Sequence, residues 1–302
     1  MTSPKNFLSV GECMVEMSPV DGGAYRMGFA GDTFNTAWYA RRLLGDEWTV
    51  GYASCVGTDA ISDRMVAAMQ AAGIDTGAVR RVPDRSVGLY LIQLENAERS
   101  FAYWRGQSAA RTLADDPDWL AGVFGRADVI FYSGITLAIL SDTARETLCA
   151  ALAQARARGA TTVFDTNMRA RLWPGAEAMR AGIMRGAAQA DIVLPSFDEE
   201  EAAFGDPTPQ AVAARYHAVG ARLVVVKNGA GEILVSDKDG WPFVHRPAGV
   251  ANVIDTTAAG DSFDAAFLAA YLQGQGLREA AARGAALAER VVQAPGALVE
   301  PG

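Results

Sequence analysis

The stretch Asp255-Thr256-Thr257-Ala258-Ala259-Gly260-Asp261 is the part of the chain best suited to chemistry. Small residues lead into a helical pattern, with Phe263, Phe267 and Tyr271 at helical spacing. The first N–H groups of a helix have no intrahelical acceptor, and the helix dipole is positive there. Small side chains let an anion reach those amides, so Ala258, Ala259 and Gly260 suit a phosphate. Asp261 stands at the mouth of that anion hole. It could take a proton from a hydroxyl attacking a phosphoryl group. Taken alone, it could equally do no more than complement the dipole.

Four further groups of residues could join it. In Ala30-Gly31-Asp32-x-x-Asn35, Asp32 fits a helix N-cap, and Asn35 would face the same mouth. Lys227 ends the apolar run Val224-Val225-Val226 and precedes Gly229 and Gly231. It could hold phosphate or simply close an exposed strand end. Ser196 precedes the acidic run Asp198–Glu201, which also reads as the first turn of a solvated helix. Tyr90, Tyr103 and Arg105 lie in strand-like runs, and Arg169 follows another in Phe164-Asp165-Thr166-Asn167-Met168-Arg169. A guanidinium suits a carboxylate on a substrate.

The elements that must position these residues alternate. Phe7–Glu12, Val50–Val56, Asp128–Ser133, Thr161–Asp165, Asp191–Leu194 and Leu223–Lys227 read as strands. Thr33–Leu44, Ile61–Ala72, Ser141–Arg158 and Ala176–Ala190 read as helices. The alternation predicts βαβ units, a parallel sheet covered on both faces, and a ligand at the carboxyl ends of its strands. Two hairpins break it. One pairs Cys13–Ser18 with Ala24–Phe29 across Asp21-Gly22-Gly23; the other pairs Ser86–Glu95 with Arg99–Trp104 across Asn96-Ala97-Glu98. They predict a small sheet beside the main one, at about 13–30 and 86–106, either an ornament or a lid over a ligand.

The full string ending in Asp261 resembles the D-T-[TN]-G-A-G-D signature of the ribokinase-type (PfkB) carbohydrate kinases, with Ala258 where glycine is usual. Ala30-Gly31-Asp32-x-x-Asn35 resembles that family's G-G-D-x-x-N, with Ala30 in place of the first glycine. The turn at Lys227, Gly229 and Gly231 resembles its K-x-G, and Ser196-x-x-Glu199 its N-x-x-E. The resemblance spans nearly the whole chain. It implies a three-layer α/β/α fold with a mostly parallel central sheet and a β-sheet lid, in one kinase domain over 1–302. It implies Asp261 as general base and an anion hole at Ala258–Asp261. It places sugar on Gly31, Asp32 and Asn35, ATP on Ser196, Lys227, Gly229 and Gly231, and Mg²⁺ near Glu199 through water. A monovalent cation such as K⁺ near Asp255 is left open.

Tyr103-Trp104-Arg105 and Asp165-x-Asn167-x-Arg169-x-x-Leu172-Trp173 resemble the members of that family that act on 2-keto-3-deoxygluconate. This implies Tyr90, Tyr103, Arg105 and Arg169 around a sugar acid, and Asn167 and Arg169 near the nucleotide phosphates. Transfer would go to the terminal hydroxyl. Fructose, ribose or a nucleoside as acceptor, or a non-catalytic sugar-binding regulator, are the alternatives.

Composition narrows the classes. The chain has 302 residues, 27 Lys and Arg against 35 Asp and Glu, and a net charge of −8, which argues against a nucleic-acid partner. Three dispersed cysteines and two histidines support neither a disulfide framework nor a histidine-rich metal site. No run of 18 apolar residues occurs, so no membrane partner is expected, and the N-terminus lacks signal-peptide features. The expectation is a cytoplasmic enzyme, homo-oligomeric through exposed lid edges.

Overall fold

The computed structural model describes residues 4–95 and 98–302. Its strands, in chain order, are β1 (Lys5–Val10), β2 (Met14–Pro19), β3 (Tyr25–Ala30), β4 (Trp48–Val56), β5 (Val79–Arg81), β6 (Leu89–Glu95), β7 (Glu98–Trp104), β8 (Val129–Ser133), β9 (Thr161–Asp165), β10 (Ile192–Val193), β11 (Leu223–Val226), β12 (Ile233–Asp237) and β13 (Phe243–His245). Nine of them form one sheet in the order β13-β12-β11-β10-β9-β8-β1-β4-β5. Seven run parallel, and β12 and β13 join antiparallel at one edge. That edge pair was not expected from the alternation, because Ile233–Asp237 is an ordinary short strand with no helix before it.

Strand periodicity explains the three layers. Side chains alternate across a sheet, so Leu223 and Val225 enter one buried cluster while Val224 and Val226 enter the other. Phe7 and Leu8 divide in the same way. One cluster is completed by the helices Pro117–Phe124, Asp142–Ala157, Ala176–Ala187 and Pro209–Ala218. The other is completed by Asp32–Leu43, Ala60–Ala71, Ala259–Leu272 and Leu277–Val291. A sheet buried on both faces reads as short continuous apolar runs, which is why these strands are visible in the sequence.

The two expected hairpins form a separate four-stranded sheet in the order β3-β2-β6-β7. Strand β2 pairs antiparallel with β3 and parallel with β6, so the hairpins are joined side by side. The expected turn at Asn96-Ala97 lies outside the described residues. Several boundaries shift from expectation. The first strand ends at Val10 rather than Glu12. Its successor Gly11 has no room for a Cβ, which would lie 2.3 Å from the Thr33 hydroxyl oxygen. Strand β11 ends at Val226, and Lys227 continues only as an isolated bridge to Ser196.

The carboxyl ends of the parallel strands all lie at one edge of the sheet. They bring Asp165 from β9 and Lys227 after β11 together beneath Ala259–Leu272, where Lys227 meets Asp264, and Ser133 from β8 to Asp32. The small sheet is attached at that same edge, since β2 and β3 connect β1 to the helix Asp32–Leu43.

Candidate active site

Asp261 occupies the first turn of the helix Ala259–Leu272. Its Oδ2 accepts from Asn35 Nδ2 at 2.8 Å. Asn35 Oδ1 in turn accepts from the Gly31 amide at 3.3 Å. The two motifs, 226 residues apart, therefore share one mouth. Gly31 is also required by packing: a Cβ there would sit 2.3 Å from the Glu12 carbonyl oxygen. Burial, with the charge of Asp32 next, raises the Asp261 pKa to about 7; the Asn35 hydrogen bond opposes this. Burial likewise raises Asp32, against a hydrogen bond from Ser133. Asn167 Nδ2 donates to Asp32 Oδ2 at 3.0 Å, so Asn167 meets the residue expected at the sugar.

The turn before Asp261 is strained. Ala258 has φ 60°, in the left-handed region, where an L-residue costs roughly 1–2 kcal/mol. Ala258 and Ala30, the two alanines standing for expected glycines, contribute to one small apolar cluster with Met14, Tyr90, Ile92, Tyr103 and Ala297. The Ser262 amide bonds back to the Ala258 carbonyl at 2.9 Å, and Ala259 donates to Thr256 at 3.3 Å. The Gly260 and Asp261 amides have no acceptor among the described residues. Asp255 braces the turn, its oxygens accepting from the Thr257 amide at 3.0 Å and the Gly296 amide at 2.7 Å.

Lys227 differs from the free phosphate ligand that a strand-end lysine suggests. Its Nζ is buried beneath the turn and donates to Asp165 at 3.1 Å and to Asp264 at 2.9 and 3.0 Å. Burial works against its charge, but Asp165 and Asp264 outweigh burial and hold the ammonium charged. A Cβ on Gly260 would stand only 3.7 Å from that Nζ, so the charge lies directly under the helix N-terminus. Asp264 gave no functional signal in the sequence. Its spacing of three from Asp261 puts it on a neighbouring face of the helix, which is the signal that was available.

At the turn expected to meet the nucleotide, Gly229 adopts φ 52° after Lys227, and the Gly231 amide bonds the Asn228 carbonyl at 2.6 Å. Ser196 precedes the helix Phe197–Phe204. The acidic run that follows divides. Glu199 accepts from the Met168 amide at 3.1 Å and from Arg169 at 3.0 Å. Burial raises its pKa, with Arg169 opposing. Glu200 turns into the core and pairs with Arg215 at 2.6 Å and Tyr216 at 2.8 Å. Arg169, at φ 42°, keeps half of its side chain exposed.

The small sheet brings Tyr90 and Tyr103 directly opposite each other, with ring centroids 5.8 Å apart. The Tyr90 hydroxyl donates to Glu16, and burial followed by that carboxylate holds it protonated. Arg105 departs from the free guanidinium expected. It is 8% exposed, and its Nε and Nη2 both donate to Glu12 Oε2, Nε at 2.8 Å. Glu12 Oε1 is buried without a hydrogen-bond partner among the described residues. Like Asp264, Glu12 had no functional signal in the sequence, nor had Arg171, whose guanidinium lies 4.0 Å from the centre of the Tyr103 ring.

The arrangement is a helix N-terminus with amides that have no acceptor among the described residues and a carboxylate of near-neutral pKa, facing polar groups from a second, smaller sheet. Residues 5–300 match the pfkB family carbohydrate kinase. The chain belongs to that family. This kinase is similar to the 2-dehydro-3-deoxygluconokinase of Dickeya dadantii strain 3937, with 38% identity over 98% of this chain and 97% of that protein. A crystal structure of a PfkB protein from Polaromonas sp. JS666 has 32% identity and a TM-score of 0.81, with 96% of each chain covered. A fructokinase from Xylella fastidiosa, crystallised with bound ATP, shares the fold at 22% identity and a TM-score of 0.84, over 97% of the kinase chain and 93% of its own. No helix among the described residues is long and apolar enough to cross a membrane.

Proposed function

We propose that the kinase transfers the γ-phosphoryl group of ATP to the terminal hydroxyl of 2-dehydro-3-deoxy-D-gluconate, giving the 6-phosphate. The substrate is read from full-length similarity to a relative of that name. The observation that carries the chemistry is Asp261, with a pKa of about 7, in the first turn of a helix whose Gly260 and Asp261 amides have no acceptor among the described residues. An ionised Asp261 accepts the proton of the attacking hydroxyl, and its near-neutral pKa suits a general base. The amides of Ala258–Asp261 take the charge that develops on the transferring group. Buried Lys227 adds positive charge beneath them without touching the phosphate. Ser196, Gly229 and Gly231 line the ATP side.

Residues 1–302 act as one unit in this reading, with the small sheet as its lid. Gly31, Asp32, Asn35, Tyr90 and Tyr103 hold the sugar. Asn167 and Arg169 stand between sugar and phosphates. Closure excludes water and so suppresses ATP hydrolysis.

No group of three or more metal-ligating side chains occurs among the described residues. That fits an ion carried in by nucleotide phosphates and left largely hydrated, as Mg²⁺ is, with Glu199 as its outer partner. Bound there, Mg²⁺ neutralises phosphate charge.

A panel of sugars and sugar acids with ATP and Mg²⁺, ranked by kcat/KM, tests the reading. A neutral sugar ranking first overturns the acceptor, and no ADP release with any acceptor overturns the chemistry. One observation favours a neutral acceptor as second reading: the Arg105 charge is already matched by Glu12. We also infer a dimer through the small sheet, where Trp104 is 60% exposed. A monomeric mass by light scattering overturns it.

A further inference from the structure

Arg171 has no part in the chemistry above, yet its placement is specific. It lies in the short turn Ala170–Leu172, immediately after Asn167, Met168 and Arg169. Its side chain is exposed, and its guanidinium makes no ion pair or hydrogen bond among the described residues, in a chain with 35 carboxylates. Instead it stacks on Tyr103, 4.0 Å from the ring centre. A guanidinium is planar and weakly hydrated, so an aromatic face is a favourable partner for it.

The contact joins two parts of the molecule. Tyr103 belongs to β7 of the small sheet, and Arg171 to the loop that follows β9 of the large one. From Tyr103 the contacts continue to Tyr90 across the β6–β7 register, and from the Tyr90 hydroxyl to Glu16 in β2. The far end of the small sheet is thus tied to the loop carrying Asn167 and Arg169.

We propose that Arg171 is a positioning residue that docks the lid on the loop carrying Asn167 and Arg169. The proposal rests on reading the small sheet as the lid of a kinase. Arg171 touches neither reacting atom. Its loss leaves Asp261 and the anion hole intact but lets the lid open more often. The acceptor is then held less tightly, and water reaches the phosphates more often.

The experiment compares the full-length kinase with Arg171→Ala, Arg171→Lys, Tyr103→Ala and the Arg171→Ala/Tyr103→Ala double variant. Each is assayed with Mg²⁺-ATP and whichever panel acceptor has the highest kcat/KM, so a wrong acceptor does not decide the outcome. Arg171→Ala is expected to raise the acceptor KM about three- to tenfold, from the scale of one cation–π contact, and to lower kcat less. The fraction of ADP formed without phosphorylated acceptor rises with it. Arg171→Lys falls between, since it keeps charge but stacks less well. In the Tyr103→Ala background, removing Arg171 costs under about twofold more, the signature of a shared contact. Hydrogen exchange of the ligand-free protein supplies a readout independent of turnover: β6 and β7 amides exchange faster in Arg171→Ala. An acceptor KM within about twofold of the parent, losses that multiply in the double variant, or unchanged exchange in β6 and β7 overturns the proposal. Absence of kinase activity with every acceptor defeats the functional reading instead, and leaves the exchange measurement to decide on Arg171.

Discussion

The turn around Asp261 and the small sheet, the proposed phosphate and lid ends of the site, handle charge in opposite ways. Around the helix Ala259–Leu272, Asp32, Asp165, Asp261 and Asp264 surround one buried ammonium, Lys227. Burial first, and the neighbouring carboxylate of Asp32 next, raise Asp261 towards neutrality. The carboxylates are carried on strand ends and helix turns rooted in the two large apolar clusters. At the small sheet, Arg105 is matched by Glu12 and the neutral Tyr90 hydroxyl donates to Glu16, over a cluster with five buried members among the described residues. A reacting group needs a fixed, unbalanced environment to hold a shifted pKa. A lid needs satisfied contacts that can be made and broken at little cost.

Asp261→Asn breaks the first half of this comparison most directly. Turnover is expected to fall by about 10²–10⁴, while the protein melts higher at pH 8. The sign follows from the raised pKa. An Asp favoured in its protonated form lends stability below its unfolded pKa, and that stability is lost as pH rises through about 7. The neutral amide escapes the loss. A melting temperature unchanged at pH 8 would show that the carboxylate crowding is not real. In the unmodified enzyme, kcat/KM should fall about tenfold per pH unit below about 7, and a flat profile down to pH 5 would remove Asp261 from the role of base.

Lys227→Met and Arg105→Met sharpen the comparison. Each leaves buried carboxylate unpaired, at a cost of roughly 3–5 kcal/mol when the surroundings are rigid. Lys227→Met should show that full loss as a lower urea midpoint. Arg105→Met should cost less, about 1–2 kcal/mol, because the small sheet can open and hydrate Glu12. Equal losses in the two variants would mean that the sheet is as rigid as the frame. The smallest effect is Ala258→Gly. Relief of φ 60° should stabilise by about 0.5–1 kcal/mol, measured by thermal melting, less whatever the alanine methyl contributes to the lid cluster.

Much of this was legible because strands buried on both faces leave continuous apolar runs, and because a helix start after small residues has a recognisable pattern. The Asp261 turn was found on those grounds, the Gly31-Asp32-Asn35 segment through an N-cap pattern and its resemblance to a family motif, and both hairpins from paired strand-like runs around a turn. Partnership was not legible. Whether Lys227 meets phosphate or two aspartates depends on which side chains converge beneath the turn. Residues 62 and 37 positions away supply them. The acidic run could not say that Glu199 faces the site and Glu200 the core, since one helical step of about 100° separates those fates.

By itself the sequence determined the α/β/α layering and the helix start after small residues, because each rests on local periodicity or on a contiguous string of residues, and the resemblance of that string to a family signature is what proposes Asp261 as base. Only the tertiary structure decided the raised pKa of Asp261, the burial of Lys227, the pairing of Arg105 with Glu12 and the stacking of Arg171 on Tyr103. Electrostatic environment is set by distance through space and by exclusion of water, and neither is written in the order of residues along the chain.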